Sequence, residues 1–415
     1  MHTSGNDAVS SSGKELLATR RLGIYLDDVY WVFEEEGRPR ISSDRSFLLF
    51  LCDVGERFDR LSLFGRTVHA DEPSDYVLPP SVELVELPHY ANLRGFFAVL
   101  RATGGSLSRF WRGLDRVDTL WLFGPHPFAV AFVALGAVRR KRIVLGVRQD
   151  SVTLYRARLP GLRWAPVILV VRALDGIYRL LARRLPTTVQ GAELAGSYGA
   201  PRSTVLATTE SVVRERDVVS SAPERDWSGE LELLTVGRLE PEKNPLLLVE
   251  ALARLETERP GRYRLTWVGR GPLDDVVRAR AEELGVLDRI EFHGYVAYDG
   301  GLLDLYRRAH MFVHVSLTEG MPKVLIEALA CATPIVATDV GGVRAAMDDG
   351  SVVLLVPPDD LDALVEAILR ISDEPELRES LVERGLAHVR SLTLEAEADR
   401  VAGFMARHFA GESSG

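Results

Sequence analysis

The chain has 415 residues, 46% hydrophobic and 26% charged, with a net charge of −9. These values describe an ordinary globular protein with room for two domains and exclude a disordered or fibrous chain. The two cysteines, Cys52 and Cys331, lie far apart, which argues against a disulfide framework and fits a reducing cytosol.

The net charge hides an asymmetry. Residues 101–200 carry 16 Lys and Arg against 5 Asp and Glu, so the excess of acid sits in the second half. A basic first half suggests that it meets something anionic. No basic segment followed by an apolar one opens the chain, so no secretion signal is expected. No apolar run reaches the ~18 residues that a spanning helix needs. The expected compartment is the cytoplasm, with a peripheral position at the inner membrane face as the alternative opened by the basic region.

Residues 1–19 are Ser/Gly-rich and polar and read as a mobile tail. Arg21 to Leu26 is the first buried strand, and a long loop from Asp27 to Asp44, with the run Glu34-Glu35-Glu36, is expected after it. Asp27-Asp28 reads as a solvated loop end, since two adjacent carboxylates without further ligands make a weak metal site. Alternation follows: helix 44–53, strand 61–65, strand 82–87, helix 93–114, strand 119–123, helix 128–139 and strand 142–147. Such alternation implies a parallel sheet covered on both faces, with ligands outside the strand carboxyl ends.

Two of those ends carry candidates. His126 follows a strand at a helix start, and it reads either as a catalytic residue or as a helix-start residue beside a turn. Arg148 and Asp150 follow the next strand and are candidates for the acceptor side; for Arg148 the other reading is a structural ion pair. Residues 156–184 combine an apolar helical stripe with seven arginines. Two readings stand: a helix lying on an anionic membrane surface, or a covering helix with solvated arginines. Short strands at 187–190 and 203–207 close a first domain, 20–217, and polar residues 218–229 read as a linker.

The second domain, 230–391, opens with strand 231–236, then Gly237, Arg238 and Lys243, with Pro245 starting a helix. Two cations at a strand's carboxyl end beside a helix start can clamp a diphosphate. Strand 264–268 runs into Gly269-Arg270-Gly271-Pro272, where missing side chains let a ligand approach; a lone Gly-x-Gly is a weak dinucleotide signal. Strand 290–296 ends at Val296, and His293 reads as structural. The stretch Met311 to Gly342 supplies strand 311–315, a polar turn, helix 322–332 and strand 335–337. Pro322 suits a first helical position. Glu319 and Glu327 frame the helix start, with Glu327 roughly 7.5 Å up the axis from Pro322. Unpaired amides there suit phosphate, and carboxylates suit vicinal hydroxyls. By spacing alone, a surface Glu plus a helix-stabilising Glu remains as good a reading. Strand 352–356 and helices 361–371, 375–389 and 394–408 complete the chain, the last lying in a segment, 392–409, expected to cross back to the first domain.

EGMPKVLIEALACATPIVATDVGG and VGRLEPEKNP, in residues 230–390, closely resemble the donor-site signatures of retaining family-4 glycosyltransferases (glycosyl transferases group 1) of the GT-B fold. The resemblance implies two Rossmann-like domains facing across a cleft that holds the donor. It assigns Arg238 and Lys243 to the donor diphosphate, Glu319 to the sugar and Glu327 to the ribose. Gly237, Gly269, Gly271, Val296, Gly320, Met321, Pro322, Lys323, Val324 and Leu325 would flank the nucleotide. The family's glycine-rich first loop is represented here only by Gly37, and a histidine often found where Arg148 stands is missing. The implied reaction moves a hexose-type sugar from a nucleotide-diphosphate donor, UDP-sugar favoured over GDP-sugar, to an acceptor hydroxyl with retention, in polysaccharide or glycoconjugate biosynthesis. It implies no metal, no cofactor beyond the co-substrate and no nucleic acid; the acceptor is expected to be anionic or lipid-linked. A nucleotide-sugar epimerase on this fold and a non-catalytic nucleotide-sugar-binding protein are the rival readings.

Overall fold

A computed structural model of the protein describes residues 15, 17–89, 96–159, 161–320 and 323–410. Most of the expected tail, together with Met321 and Pro322, therefore lies outside the described residues. The chain divides into two compact units, one of residues 1–212 with 394–415, the other of residues 213–393.

Unit 1 is built on strands β1 (Arg21–Glu35), β2 (Arg38–Ser43), β3 (Arg60–His69), β4 (Tyr76–Val77), β5 (Val82–Leu87), β6 (Thr119–Gly124), β7 (Arg142–Val147), β8 (Thr187–Gln190) and β9 (Val205–Thr208). Its parallel strands run in the order β5-β3-β1-β6-β7-β8-β9, and β2 and β4 add an antiparallel edge. Unit 2 has β10 (Leu231–Val236), β11 (Tyr263–Val268), β12 (Ile290–Gly294), β13 (Met311–His314), β14 (Ile335–Thr338) and β15 (Leu354–Val356), all parallel, in the order β12-β11-β10-β13-β14-β15. Counted along the chain, the parallel strands read 3-2-1-4-5-6-7 in unit 1 and 3-2-1-4-5-6 in unit 2, the doubly wound order, with a reversal beside the first strand where ligands characteristically bind. The topology is that of the GT-B fold.

Strand periodicity explains why both faces are covered. In β13, Met311 and Val313 pack into one core cluster with helices Pro245–Glu258 and Leu361–Asp373. Phe312, between them, packs into the opposite cluster with helices Leu302–Arg308 and Lys323–Ala330. Successive side chains leave a strand on opposite faces, so a continuous apolar run serves two cores.

Three expectations need correction. The loop from Asp27 to Asp44 is a β-hairpin: β1 continues to Glu35, and β2 returns antiparallel through Glu36 (φ 53°) and Gly37 (φ 74°). Two successive positive φ values form the hairpin turn that suits strand twist. The β-formers Val29 to Phe33 outweigh the acidic run, and Glu35 pairs with Arg40. The helix expected at 44–53 runs instead from Phe47 to Gly55. The segment 218–229 is not a free linker, because it belongs to unit 2. Val213 is buried in that unit's core, Val219 N–H donates to the Ala330 carbonyl at 2.9 Å, and Arg225 donates to the carbonyls of Cys331 and Ala332. Its composition gave no sign of these backbone partners.

The last helix, Leu394–Ala410, belongs to unit 1. Val401, Ala402 and Met405 join the core around helix Phe47–Gly55, and Arg57 bonds Asp399 at 2.8 Å. Cys52 and Cys331 are both buried and free.

Candidate active site

Of the expected donor residues, Gly237, Arg238, Lys243 and Glu319 lie at the reversal of the unit 2 sheet, where β10 and β13 lie side by side. After β10 the chain turns through Gly237 and Arg238 into a short helical turn, Pro241–Lys243. Asn244 takes a left-handed conformation (φ 48°) and releases the chain into the helix that starts at Pro245. After β13 the loop Val315 to Gly320 lies against this turn, tied to it by a hydrogen bond from Leu317 N–H to the Glu242 carbonyl at 2.8 Å.

Glu319 is the centre of the loop. Its Oε1 meets the Lys243 ammonium, His314 Nε2 at 2.8 Å and the Ser316 hydroxyl, which donates at 2.8 Å. Burial pushes this carboxyl upward, but His314 and Lys243 together outweigh it and hold the group down at about 2. Glu319 is therefore a fixed carboxylate throughout the neutral range. Arg238 is two-thirds exposed and lies against Glu240 at 2.6 Å and Glu242 at 3.6 Å. Exposed pairs of this kind contribute ~0–1 kcal/mol, so an incoming diphosphate can take the guanidinium at little cost. Gly237 and Gly320 each have open space where a side chain would begin.

The glycines thought to admit a ligand serve a different purpose. A Cβ on Gly269 would lie 1.9 Å from the Gly237 carbonyl oxygen, and one on Gly271 would lie 2.3 Å from that of Leu239. Both glycines let the β11 turn press against the backbone that carries Arg238. Gly341 (φ +50°) and Gly342 support the other loop in the same way, with Cβ positions 1.9 Å from the Glu319 carbonyl oxygen and 2.4 Å from that of Gly320. Two glycine pairs thus hold the two loops of the site in place.

Glu327 lies on the inward side of helix Lys323–Ala330, almost fully buried, and accepts a hydrogen bond from the Tyr306 hydroxyl at 2.9 Å. Burial raises its carboxyl to about 7, although Tyr306 and Lys323 both pull it down. Leu325 is fully buried in the core, leaving only its backbone for a ligand; Val324 packs partly on the same core. Val296 is half-buried beside Tyr298, whose hydroxyl bonds Asp217 at 2.8 Å. His293 pairs with Glu291 at 3.1 Å, in keeping with a structural role.

In unit 1, His126 lies at the equivalent reversal, just past the end of β6 and where β1 leaves it after Tyr25. It is largely but not fully buried, with Nδ1 3.2 Å from the Tyr25 hydroxyl and Nε2 3.3 Å from Asp27 Oδ2. Burial, with Arg66 nearby, lowers its pKa against the pull of Asp27, which favours the neutral ring. Asp28 pairs with Arg45 at 2.6 Å. Arg148 stacks 3.8 Å over the Phe47 ring and faces Glu210 at 3.5 Å, so it is held as part of the fold. Asp150 caps helix Ser151–Arg158, accepting from Thr153 N–H at 3.0 Å and Thr153 Oγ1 at 2.8 Å. Among the described residues, no group of three or more His, Cys, Asp or Glu is placed to hold a metal ion.

Sequence reasoning missed His314, Ser316 and Tyr306. A histidine inside the buried run Met311 to Val315 was a readable signal, since a buried imidazole needs a partner. Tyr306 gave none, because it reaches Glu327 only through helix packing.

Residues 222–388 match the family model described as glycosyl transferases group 1. The chain is 34% identical over 228 residues to a D-inositol 3-phosphate glycosyltransferase of Actinosynnema mirum, covering 52% of this chain and 54% of that one. The chain thus spans about half the length of that curated relative. By structure it resembles WaaG, a glycosyltransferase involved in lipopolysaccharide biosynthesis, with a TM-score of 0.61, 15% identity and coverage of 92% of this chain and 98% of that one. It also resembles Anabaena HepE in complex with UDP and glucose, with a TM-score of 0.60, 15% identity and coverage of 95% and 99%. These two likenesses establish the fold.

Proposed function

We propose that the protein is a glycosyltransferase that moves a hexose-type sugar from a nucleoside-diphosphate donor to an acceptor hydroxyl, with retention and without a metal ion. The observation that carries this reading is the grouping of Arg238, Lys243 and Glu319 at the reversal of the unit 2 sheet, beside the open backbone at Gly237 and Gly320. Arg238 and Lys243 stabilise the charge that grows on the departing diphosphate. Glu319, ionised and fixed, orients sugar hydroxyls, and Glu327 receives the ribose. The sugar–phosphate bond breaks as the bond to the acceptor oxygen forms on the same face, and the acceptor proton passes to the leaving diphosphate. His126 is the unit 1 candidate for the acceptor hydroxyl, which would have to displace Tyr25 or Asp27 from one of its ring nitrogens. The complex of Anabaena HepE with UDP and glucose favours a UDP-sugar as the donor.

The test is a thermal-shift screen against UDP, GDP and ADP, followed by donor turnover with and without EDTA. One nucleotide should raise the melting temperature, and EDTA should leave turnover unchanged. A strict metal requirement removes the mechanism. Donor consumed with no acceptor present, giving an epimer, selects the epimerase; binding without turnover selects the binding protein.

A further inference from the structure

Helix Ala165–Leu181 in unit 1 is apolar on two sides. Its inner face holds Tyr178, fully buried, whose hydroxyl donates to the Leu122 carbonyl at 3.4 Å, and Leu181, packed on the same core. Asp175, which accepts from Arg179 at 2.5 Å and from Tyr198 at 2.7 Å, anchors the helix further. The outer face carries Leu169 (69% exposed), Val170 (55%), Ile177 (40%) and Leu180 (61%). With Ala173, these positions share one helical face. Arg156 and Arg172 help to line a groove of about 650 Å³ with Leu159, Ala165, Ile168 and Leu169.

A helix that is apolar all round ordinarily lies in a core or spans a membrane. This one is covered on one side only, and no described helix is long and apolar enough to cross a membrane. The surroundings identify what the outer face meets. Arg156, Arg163, Arg172, Arg183 and Arg184 are all exposed in and around this helix, and Trp164 stands at its start. Asp175 is the one acid in residues 151–184 and is already paired. A second copy of the chain, docked symmetrically, would set these arginines against their own images. A bilayer with anionic headgroups gives the apolar stripe an apolar medium and the arginines counter-charges at once.

We propose that helix Ala165–Leu181 docks unit 1 onto an anionic lipid bilayer, lying in its surface with Leu169, Val170, Ile177 and Leu180 inserted. This is independent of the donor reading, since the binding is measured without nucleotide.

The experiment is co-sedimentation of the full chain with vesicles of phosphatidylcholine alone or mixed with phosphatidylglycerol. Binding is expected only to the anionic vesicles, and it should fall sharply at about 0.5 M salt, where screening reaches within a few ångströms. A Leu169→Asp/Leu180→Asp variant should bind about tenfold or more weakly, with an unchanged melting temperature because both sites are exposed; Arg172→Glu/Arg183→Glu should do the same. Failure to bind anionic vesicles, or binding that neither the variants nor salt alter, overturns the proposal. Self-association abolished by Leu169→Asp/Leu180→Asp, with no vesicle binding, gives the face to a second copy instead.

Discussion

Glu327→Gln isolates the cost of a carboxylate inside unit 2. Burial holds the native group at about 7, against 4.5 for an ordinary glutamate. A group raised in the folded state contributes stability in its protonated form; that contribution is complete below pH 4.5 and is lost as pH climbs through 7. At about 1.4 kcal/mol per pH unit, the gap is worth ~3 kcal/mol. Glutamine keeps the shape and still accepts from the Tyr306 hydroxyl, but it cannot ionise. In urea unfolding of the ligand-free protein, the two forms should be nearly equal below pH 4.5. The variant should become the more stable one by ~3 kcal/mol at pH 8. A difference that stays constant from pH 4.5 to 8 refutes the reasoning, since it would mean the carboxyl titrates normally. A second arm addresses the site itself. Ribose hydroxyls donating to Glu327 favour its ionised form, so nucleotide binding near pH 7 should release protons, read by calorimetry in two buffers of different ionisation enthalpy. The variant should release none from this group and bind nucleotide more weakly.

Arg238→Ala and Lys243→Ala should each lower turnover roughly a hundredfold. Arg238→Ala should leave the melting temperature nearly unchanged, because the residue is mostly exposed. Full turnover in both variants would show the clamp to be misassigned. Gly341→Ala places a Cβ 1.9 Å from the Glu319 carbonyl oxygen at a φ of +50°. It should displace that loop and weaken nucleotide binding about tenfold or more, a loss of ~1.4 kcal/mol or greater; undiminished affinity would deny Gly341 its supporting role.

Much of this site is legible in the chain because local chemistry specifies it. Strands β5, β7, β8 and β10, and helix Pro375–Val389, have the bounds that apolar runs and a first-position proline predict. Gly237, Arg238, Lys243 and Glu319 could be named because each sits where a strand gives way to a turn. The misreadings have a common source. Trp31 to Phe33 looked like loop because acids follow them, and residues 218–229 looked free because the bonds from Val219 N–H to Ala330 and from the Arg225 guanidinium to Ala332 leave no trace in composition.

The sequence by itself determined the alternation of strands and helices and the covered parallel sheets it implies, while the family resemblance named the residues expected to meet a donor. Periodicity and turn chemistry act over a few residues, and so they can be read in order. Only tertiary structure decided what each group can do. Glu319 is held ionised because His314 and Lys243 reach it, while Glu327 is pushed toward neutrality because its surroundings exclude water. Gly269 and Gly341 proved to be supports for neighbouring loops, and helix Ala165–Leu181 proved to keep an uncovered apolar face. Charge state and exposure depend on groups brought together from distant positions, and that distance is what the linear chain does not record.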